Sequence, residues 1–181
     1  MPKLLDILIC SLNSRKTFLD RLCSILQPQI SDDIGIICDC DDGEVSIGMK
    51  RNRLLANATA EYVAFVDDDD RISDNYCASI IGALQTRPDC VGIEGIITFD
   101  GQAPKKFIHS LKCGHWHEDN TTYYRTINHL NPIKRTIAIE AGFPDQSHGE
   151  DSEYSSRLAG KLKTEIYIEG PIYYYDFRRN K

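Results

Sequence analysis

The chain has 181 residues, 41% of them hydrophobic and 27% charged, which is enough apolar material for one globular core and argues against a disordered chain. A formal net charge of −6 removes the usual electrostatic warrant for nucleic-acid binding, because neutralising phosphates takes a basic surface. No apolar run approaches the roughly 20 residues that span a bilayer, and Met1-Pro2-Lys3-Leu4-Leu5-Asp6 lacks the apolar region and cleavage site of a signal peptide, so a soluble, cytoplasmic protein is expected.

Leu4 to Cys10 is a nearly continuous apolar run, as expected for a central parallel strand buried on both faces, and it ends in the polar turn Ser11 to Arg15. Phe18, Leu19, Leu22, Ile25 and Leu26 recur at helical spacing before Pro28, and Ile34 to Cys38 is a second strand. Gly48 to Ala60 reads as a helix feeding a third strand, Glu61 to Val66. This βαβαβ order predicts an open, doubly wound sheet, whose ligands bind outside the carboxyl ends of the strands. Ser11 to Arg15, Asp39 to Gly43 and Asp67 to Asp70 all emerge on that rim. Further on, Tyr76, Ile80, Ile81 and Leu84 mark a helix, and Val91 to Phe99 a strand. Phe107 to His109, Thr121 to Asn128 and Ile133 to Ile139 read as short strands of mixed polarity, and Glu150 to Leu162 as a helix. One domain, 1–181, with a single continuous sheet is expected. Seven cysteines, an odd number, with Cys10, Cys23, Cys77 and Cys90 inside apolar runs, read as reduced core residues, in keeping with a cytoplasmic address.

The sharpest feature is the apolar strand that runs straight into Asp67-Asp68-Asp69-Asp70. Carboxylates a few ångströms apart raise one another's pKa and repel, so a cation is expected to meet them. Oxygen-only ligation suits Mg²⁺ or Mn²⁺, whose open positions accept phosphate oxygens of a substrate. The bland alternative is a solvated acidic turn. Basic clusters at Lys50-Arg51-Asn52-Arg53 and Arg178-Arg179-Asn180-Lys181 are each short enough to serve a single diphosphate. Arg51 is expected to be an exposed helix-start charge whose loss leaves the fold intact.

Two blocks carry a resemblance. Gly48-Met49-Lys50-Arg51-Asn52-Arg53-Leu54-Leu55 with Ala58 and the strand Glu61 to Val66 ending in four acids is one; Gly142-Phe143-Pro144-Asp145 followed by Gly149-Glu150-Asp151-Ser152-Glu153-Tyr154 is the other. Together they resemble family 2 glycosyltransferases of the GT-A fold. The resemblance implies a Rossmann-like α/β domain with a mixed, mostly parallel central sheet flanked by helices. It also implies a nucleotide-sugar-binding half over 1–100 and an acceptor and catalytic half over 101–181. Residue by residue, it implies that Asp67 and Asp69 form the D-x-D pair touching ribose, metal and diphosphate, with Asp68 or Asp70 assisting. Asp41 matches the position that reads the nucleobase, and Ser11 and Arg15 sit in the turn that frames the nucleoside. Arg51 matches the basic residue ahead of the acidic strand, and Lys50 beside it, close in sequence to the rim, is a further candidate for binding the nucleotide. Asp151, with Glu150 beside it, matches the catalytic base of inverting transfer from a nucleotide diphosphate donor, UDP-linked by expectation, to an acceptor hydroxyl. Where many members carry a further metal-ligating His, this chain reads Pro171 to Arg179, and Asp176 is the expected substitute.

The chemistry is coherent without the name. One carboxylate takes the acceptor's proton while a cation stabilises the departing diphosphate. Asp151 near a helix start is favoured by the helix dipole, although Glu150-Asp151 also reads as ordinary N-terminal decoration. Trp116, Tyr123 and Tyr124 offer a sugar-stacking platform, and His129 is expected to face the acceptor. Competing readings are an aspartyl-phosphate phosphatase or phosphotransferase, and a nucleotide-sugar-binding module without turnover. A calcium loop from Asp67 fails, because its sixth position is Ile72 and its twelfth Ala78. Cys38, Cys40, Cys113, His115 and His117 have no standard zinc spacing. The acceptor is open between a saccharide, a lipid-linked glycan, a protein and a modified nucleic-acid base, and the oligomeric state is not legible.

Overall fold

A computed structural model of the chain describes residues 3–178. Of the basic tail, Arg178 is described, while Arg179, Asn180 and Lys181 lie outside the described residues. In chain order the elements are β1 (Leu5–Leu12), α1 (Lys16–Leu26), β2 (Ile34–Asp41), α2 (Ile47–Asn57), β3 (Tyr62–Phe65), β4 (Arg71–Ile72), α3 (Tyr76–Leu84), β5 (Cys90–Phe99) and β6 (Gln102–His109). There follow β7 (His117–Glu118), β8 (Thr122–Arg125), β9 (Ile133–Lys134), α4 (Arg135–Ala141), α5 (Glu150–Leu158) and β10 (Glu165–Phe177).

The strands join in one ten-stranded sheet of order β2-β1-β3-β9-β5-β6-β8-β7, with β10 running beside β5 and closing on β4. The long ladders β1/β2, β1/β3 and β5/β10 are parallel, while β5/β6 is the one extended antiparallel ladder among the described residues. The fold is therefore mixed α/β with a mostly parallel centre. Because β1 is covered on both faces, its apolar residues feed two cores. Ile7 and Ile9 pack with Leu22 and Leu26 of α1, Ile80 and Leu84 of α3 and Tyr173 of β10. Leu8 packs on the opposite side with Leu54 and Leu55 of α2, Phe65 of β3, and Tyr154 and Leu158 of α5. Each such side chain contributes about 1.5–3 kcal/mol of burial. Asp6 is buried in β1 and accepts from the amides of Thr59 and Ala60, both at 2.8 Å, which pins the chain entering β3.

Several elements differ from expectation: α5 stops at Leu158, short of Leu162, β4 and β7 are additional short strands, and three larger differences concern the second half of the chain. Ile133 to Ile139 is a strand only at Ile133–Lys134, after which α4 takes over. β-branched Ile133, Thr136, Ile137 and Ile139 imitate a strand, but the buried Ala138 and Ala141 lie three apart, on one face of a helix. The expected strand to Asn128 stops at Arg125. Beyond it, Asn128 and Asn131 bind backbone groups in a buried turn: Leu130 N donates to Asn128 Oδ1 and Asn128 N to Asn131 Oδ1, each at 3.0 Å. β10, thirteen residues long, was not expected as a strand.

No helix among the described residues is long and apolar enough to cross a membrane. The seven cysteines are free; Cys77 and Cys90 are buried, while Cys38 and Cys40 on edge strand β2 are exposed.

Candidate active site

The parallel strands β1, β2 and β3 end on the same rim, and each delivers one component. β1 ends at Ser11 and Leu12 and continues into a 3₁₀ turn, Asn13–Arg15. Ser11 Oγ donates to Asp68 Oδ2 at 2.6 Å. Arg15 grips the same carboxylate through Nε at 3.1 Å and Nη2 at 2.6 Å, and reaches Asp69 Oδ2 at 2.9 Å. The cation required by the acid run is thus partly supplied by the chain itself, in a bidentate fork. Arg21 Nη2 donates to the Asp69 carbonyl at 2.5 Å and fastens the loop from behind.

β2 ends at Asp41, where Lys50 of α2 is buried and donates to Asp41 Oδ1 at 2.5 Å and to the Ser11 carbonyl at 2.7 Å. The hydrogen bond from Lys50 holds the Asp41 carboxyl below the usual carboxylate range. Lys50 therefore ties the ends of β1 and β2 together.

Arg51 is the largest departure from expectation. Its side chain is 4% exposed, with Nη2 3.1 Å from Asp67 Oδ1 and Nη1 3.1 Å from Glu150 Oε1. Its guanidinium lies 5.6 Å from the Phe65 ring and 5.4 Å from the Phe143 ring. It is a buried bridge between the acid loop and α5, which corrects the expectation of an exposed helix-start charge.

The acids of the loop diverge. Asp67 is 34% exposed on its side chain and lies 3.6 Å from His129 Nε2. Asp70 turns into the core, where the Tyr173 hydroxyl donates to its Oδ2 at 2.7 Å and accepts from Asp67 N at 3.1 Å. Burial, and then the Asp67 charge, push the Asp70 carboxyl well above the usual range. The folded state then holds this proton to higher pH than the unfolded chain, so the group costs stability as pH rises from the ordinary carboxylate value toward the raised one. Asp70→Asn keeps an oxygen for Tyr173 and removes that slope. Denaturant titrations in EDTA at about pH 5 and about pH 8 are expected to show the variant gaining on wild type at the higher pH; an equal gap at both values contradicts burial of the carboxyl.

On the far side, Ser46 caps α2 by accepting from Met49 N at 3.1 Å, and donates to Asp145 Oδ1 at 2.6 Å. Gly48 allows this approach: a methyl group there would sit 1.9 Å from the Pro144 carbonyl oxygen. Gly149, at φ 77°, opens α5, which places Glu150 and Asp151 in its first turn. Those two acids face different ways. Glu150 is buried against Arg51, on a cleft of about 410 Å³ that Ser11, Arg15, Lys50 and Asp68 also line. Asp151 lines a second cleft, of about 380 Å³, with His109, His129, Arg125 and Tyr175. Asp67 lines both, so the two clefts adjoin at this residue.

Asp176 does not join this group: its Oδ1 accepts from Thr98 Oγ1 at 2.7 Å and Gly101 N at 2.8 Å, and its Oδ2 from Arg178. Its carboxylate staples the β5–β6 turn, which corrects its expected role as metal ligand. Among the described residues no three His, Cys, Asp or Glu side chains make a ready cation cage, the Cys38/Cys40 and Cys113/His115/His117 sets included. Asp67 and Asp69 fit instead a small hard cation that takes one or two carboxylates from protein and its other oxygens from phosphates. Of the aromatic platform, Trp116 and Tyr123 line the second cleft, while Tyr124 stacks on His117 at 4.6 Å.

His109 and Arg125 were not anticipated. Their signal is i, i+2 spacing: Phe107 with His109, and Tyr123 with Arg125, project to one face and pair rung for rung across β6 and β8. Burial, then the charges of His129 and Arg125, lower the His109 pKa to about 3, so it stays neutral.

The family model described as glycosyl transferase family 2 matches residues 46–143, more than half of the chain, from the α2 cap through the acid loop to Phe143. The chain belongs to glycosyl transferase family 2. This family assignment displaces the aspartyl-phosphate alternative. The matched span stops before Glu150 and Asp151. Among relatives, the glucosyl-dolichyl phosphate glucuronosyltransferase of Haloferax volcanii is 25% identical over 141 residues, 69% of this chain and 44% of the relative. The chain thus spans less than half the length of that relative. Crystal structures of S. aureus TarS 1-349 share the fold. The UDP-GlcNAc complex superposes with a TM-score of 0.66 at 13% identity, covering 98% of this chain and 60% of TarS 1-349. The UDP complex gives 0.68 at 14%, covering 96% and 60%.

Proposed function

We propose that the chain transfers a sugar from a nucleotide diphosphate donor, UDP-linked, to an acceptor hydroxyl with inversion at the anomeric carbon. The observation that carries this reading is the meeting of two clefts at Asp67, one lined by Ser11, Arg15, Asp68 and Asp69, the other by Asp151. The presence of UDP and UDP-GlcNAc in TarS crystals of the same fold supports a UDP donor. In this reading the first cleft holds the nucleotide, with Asp41 toward the base and Arg15 toward the diphosphate. Lining residues cross position 100 in both directions, Glu150 in the first cleft and Asp67 in the second, so the donor half 1–100 and acceptor half 101–181 share the reaction centre.

Asp151 accepts the proton of the acceptor hydroxyl at a carboxylate oxygen. The acceptor oxygen then bonds to the anomeric carbon as the bond from that carbon to the diphosphate oxygen breaks on the opposite face. Asp67 and Asp69 would hold Mn²⁺ or Mg²⁺, and a cation bound there neutralises charge developing on the departing diphosphate. Arg15 supplies fixed positive charge at the same edge. Asp67, where the clefts meet, positions the sugar between them.

Calorimetry with UDP, GDP, CDP and dTDP sugars in Mn²⁺ tests the donor, and UDP-sugars are expected to bind best. Asp69→Asn, or EDTA, is expected to weaken UDP binding about tenfold or more by removing a carboxylate ligand or the cation. UDP affinity indifferent to both would rule out a D-x-D cation site.

A further inference from the structure

The cleft that Asp151 lines contains a cation with no acid beside it. Arg125 ends β8 between the rings of Trp116 and Tyr123, its guanidinium carbon 4.9 Å from each ring centroid. Its Nη1 donates to the carbonyls of His117 and Tyr124, both at 3.0 Å. Nε and Nη2 make no hydrogen bond to any described residue, and no described carboxylate lies within ion-pair distance of Arg125, yet neither nitrogen is buried without a partner. That edge of the fork therefore opens on solvent-accessible space. The arginines of the other cleft differ: Arg15 is spent on Asp68 and Asp69, and Arg51 on Asp67 and Glu150.

Two rings and two carbonyls already fix this guanidinium, so little side-chain entropy is left to lose on binding, and a planar fork matches a carboxylate or phosphate through parallel hydrogen bonds. A neutral hydroxyl leaves the charge unanswered. Beside Arg125 in register, the buried His109 lines the same cleft, so β6 and β8 each contribute a nitrogen-bearing side chain to that wall. Asp67 and Asp151 line the cleft as well. An anionic ligand is therefore drawn to the Arg125 side and held off the acids, which orients it.

We infer that Arg125 is a specificity-determining residue that binds an oxyanion, a carboxylate or phosphate, carried by the ligand occupying the Asp151 cleft. The anion belongs either to the transferred sugar or to the acceptor. This inference rests on the reading of the adjoining cleft as a nucleotide-sugar site.

Two probe pairs separate the sources: UDP-glucuronate against UDP-glucose for the sugar, and glucose 6-phosphate against glucose, with and without saturating UDP, for the acceptor. By calorimetry the wild-type chain is expected to prefer the anionic member of one pair by about tenfold or more. Arg125→Gln should abolish that preference while UDP affinity is unchanged, and Arg125→Lys, which keeps the charge without the fork, should retain part of it. Should the Gln variant fail to fold, the Lys variant carries the comparison. Preference in the first pair assigns the oxyanion to the sugar, and in the second to the acceptor. No preference in either pair, or a preference that survives in Arg125→Gln, overturns the inference. Failure of UDP to bind wild type would instead overturn the nucleotide reading, and the glucose 6-phosphate pair without UDP would then decide this one.

Discussion

Asp151→Asn is expected to bind UDP as wild type does and to transfer sugar about 10²–10⁴-fold more slowly, the usual worth of a positioned general base. The expectation follows from the division of labour in the first turn of α5. Asp151 lines the cleft of His129 and Arg125 and not that of Ser11 and Arg15, so the Asn variant leaves the side chains that line the nucleotide cleft in place. Asn keeps the size of the side chain and the oxygen that accepts from Ser152 N at 2.8 Å, so the helix start is preserved. Only the proton acceptor is lost. UDP calorimetry and the rate of UDP release from a UDP-sugar check the two halves separately. Release at the wild-type rate would remove Asp151 from the chemistry.

Arg51→Ala is expected to destabilise the fold by about 3–5 kcal/mol, because it leaves two carboxylates near one another without their buried counter-charge. Glu150 is itself buried, and Asp67 is the residue on which both clefts converge. The variant also withdraws the cation that lies against Phe65 and Phe143, which link β3 to the segment before α5. A loss of this size is a large fraction of a typical domain's 5–15 kcal/mol or so. Arg51→Lys should recover only part, since one ammonium cannot span Asp67 and Glu150 as a fork does. Urea unfolding of the three proteins measures this, and an Ala variant within about 0.5 kcal/mol of wild type would show Arg51 to be an ordinary surface charge.

These expectations could not all be drawn from sequence, and the reasons are physical. β1, α1, β2, α2 and β3 were legible because each is long or strongly patterned and because a βαβαβ order leaves few topologies. The rim followed, since the carboxyl ends of parallel strands converge whatever the details of packing. Burial was harder to foresee. Lys50 and Arg51 look like solvated charges at a helix start, and their burial comes from distant segments: Ser11 and Asp41 meet Lys50, while Asp67, Phe143 and Glu150 meet Arg51. Ile133 to Ile139 was misjudged because β-branching imitates a strand, whereas Ala138 and Ala141 pack α4 against the sheet. Asp176 was assigned by its place near the end of the chain, yet β10 carries it to the β5–β6 turn. Arg125 and His109 come from strands paired only in three dimensions, and a lone arginine in sequence says nothing of whether an acid will meet it.

The proposed transfer is a direct displacement at the anomeric carbon of a nucleotide sugar, with Asp151 as base. It can be tested without knowing the acceptor, because water is a slow substitute. Proton NMR of α-linked UDP-sugars incubated with the chain and Mn²⁺, recorded before mutarotation scrambles the product, reads the configuration of the first sugar released. Inversion gives the β-anomer first from at least one donor, at a rate sharply lower in Asp151→Asn; the α-anomer first, or no sugar released from any donor, would rule out direct displacement with Asp151 as base.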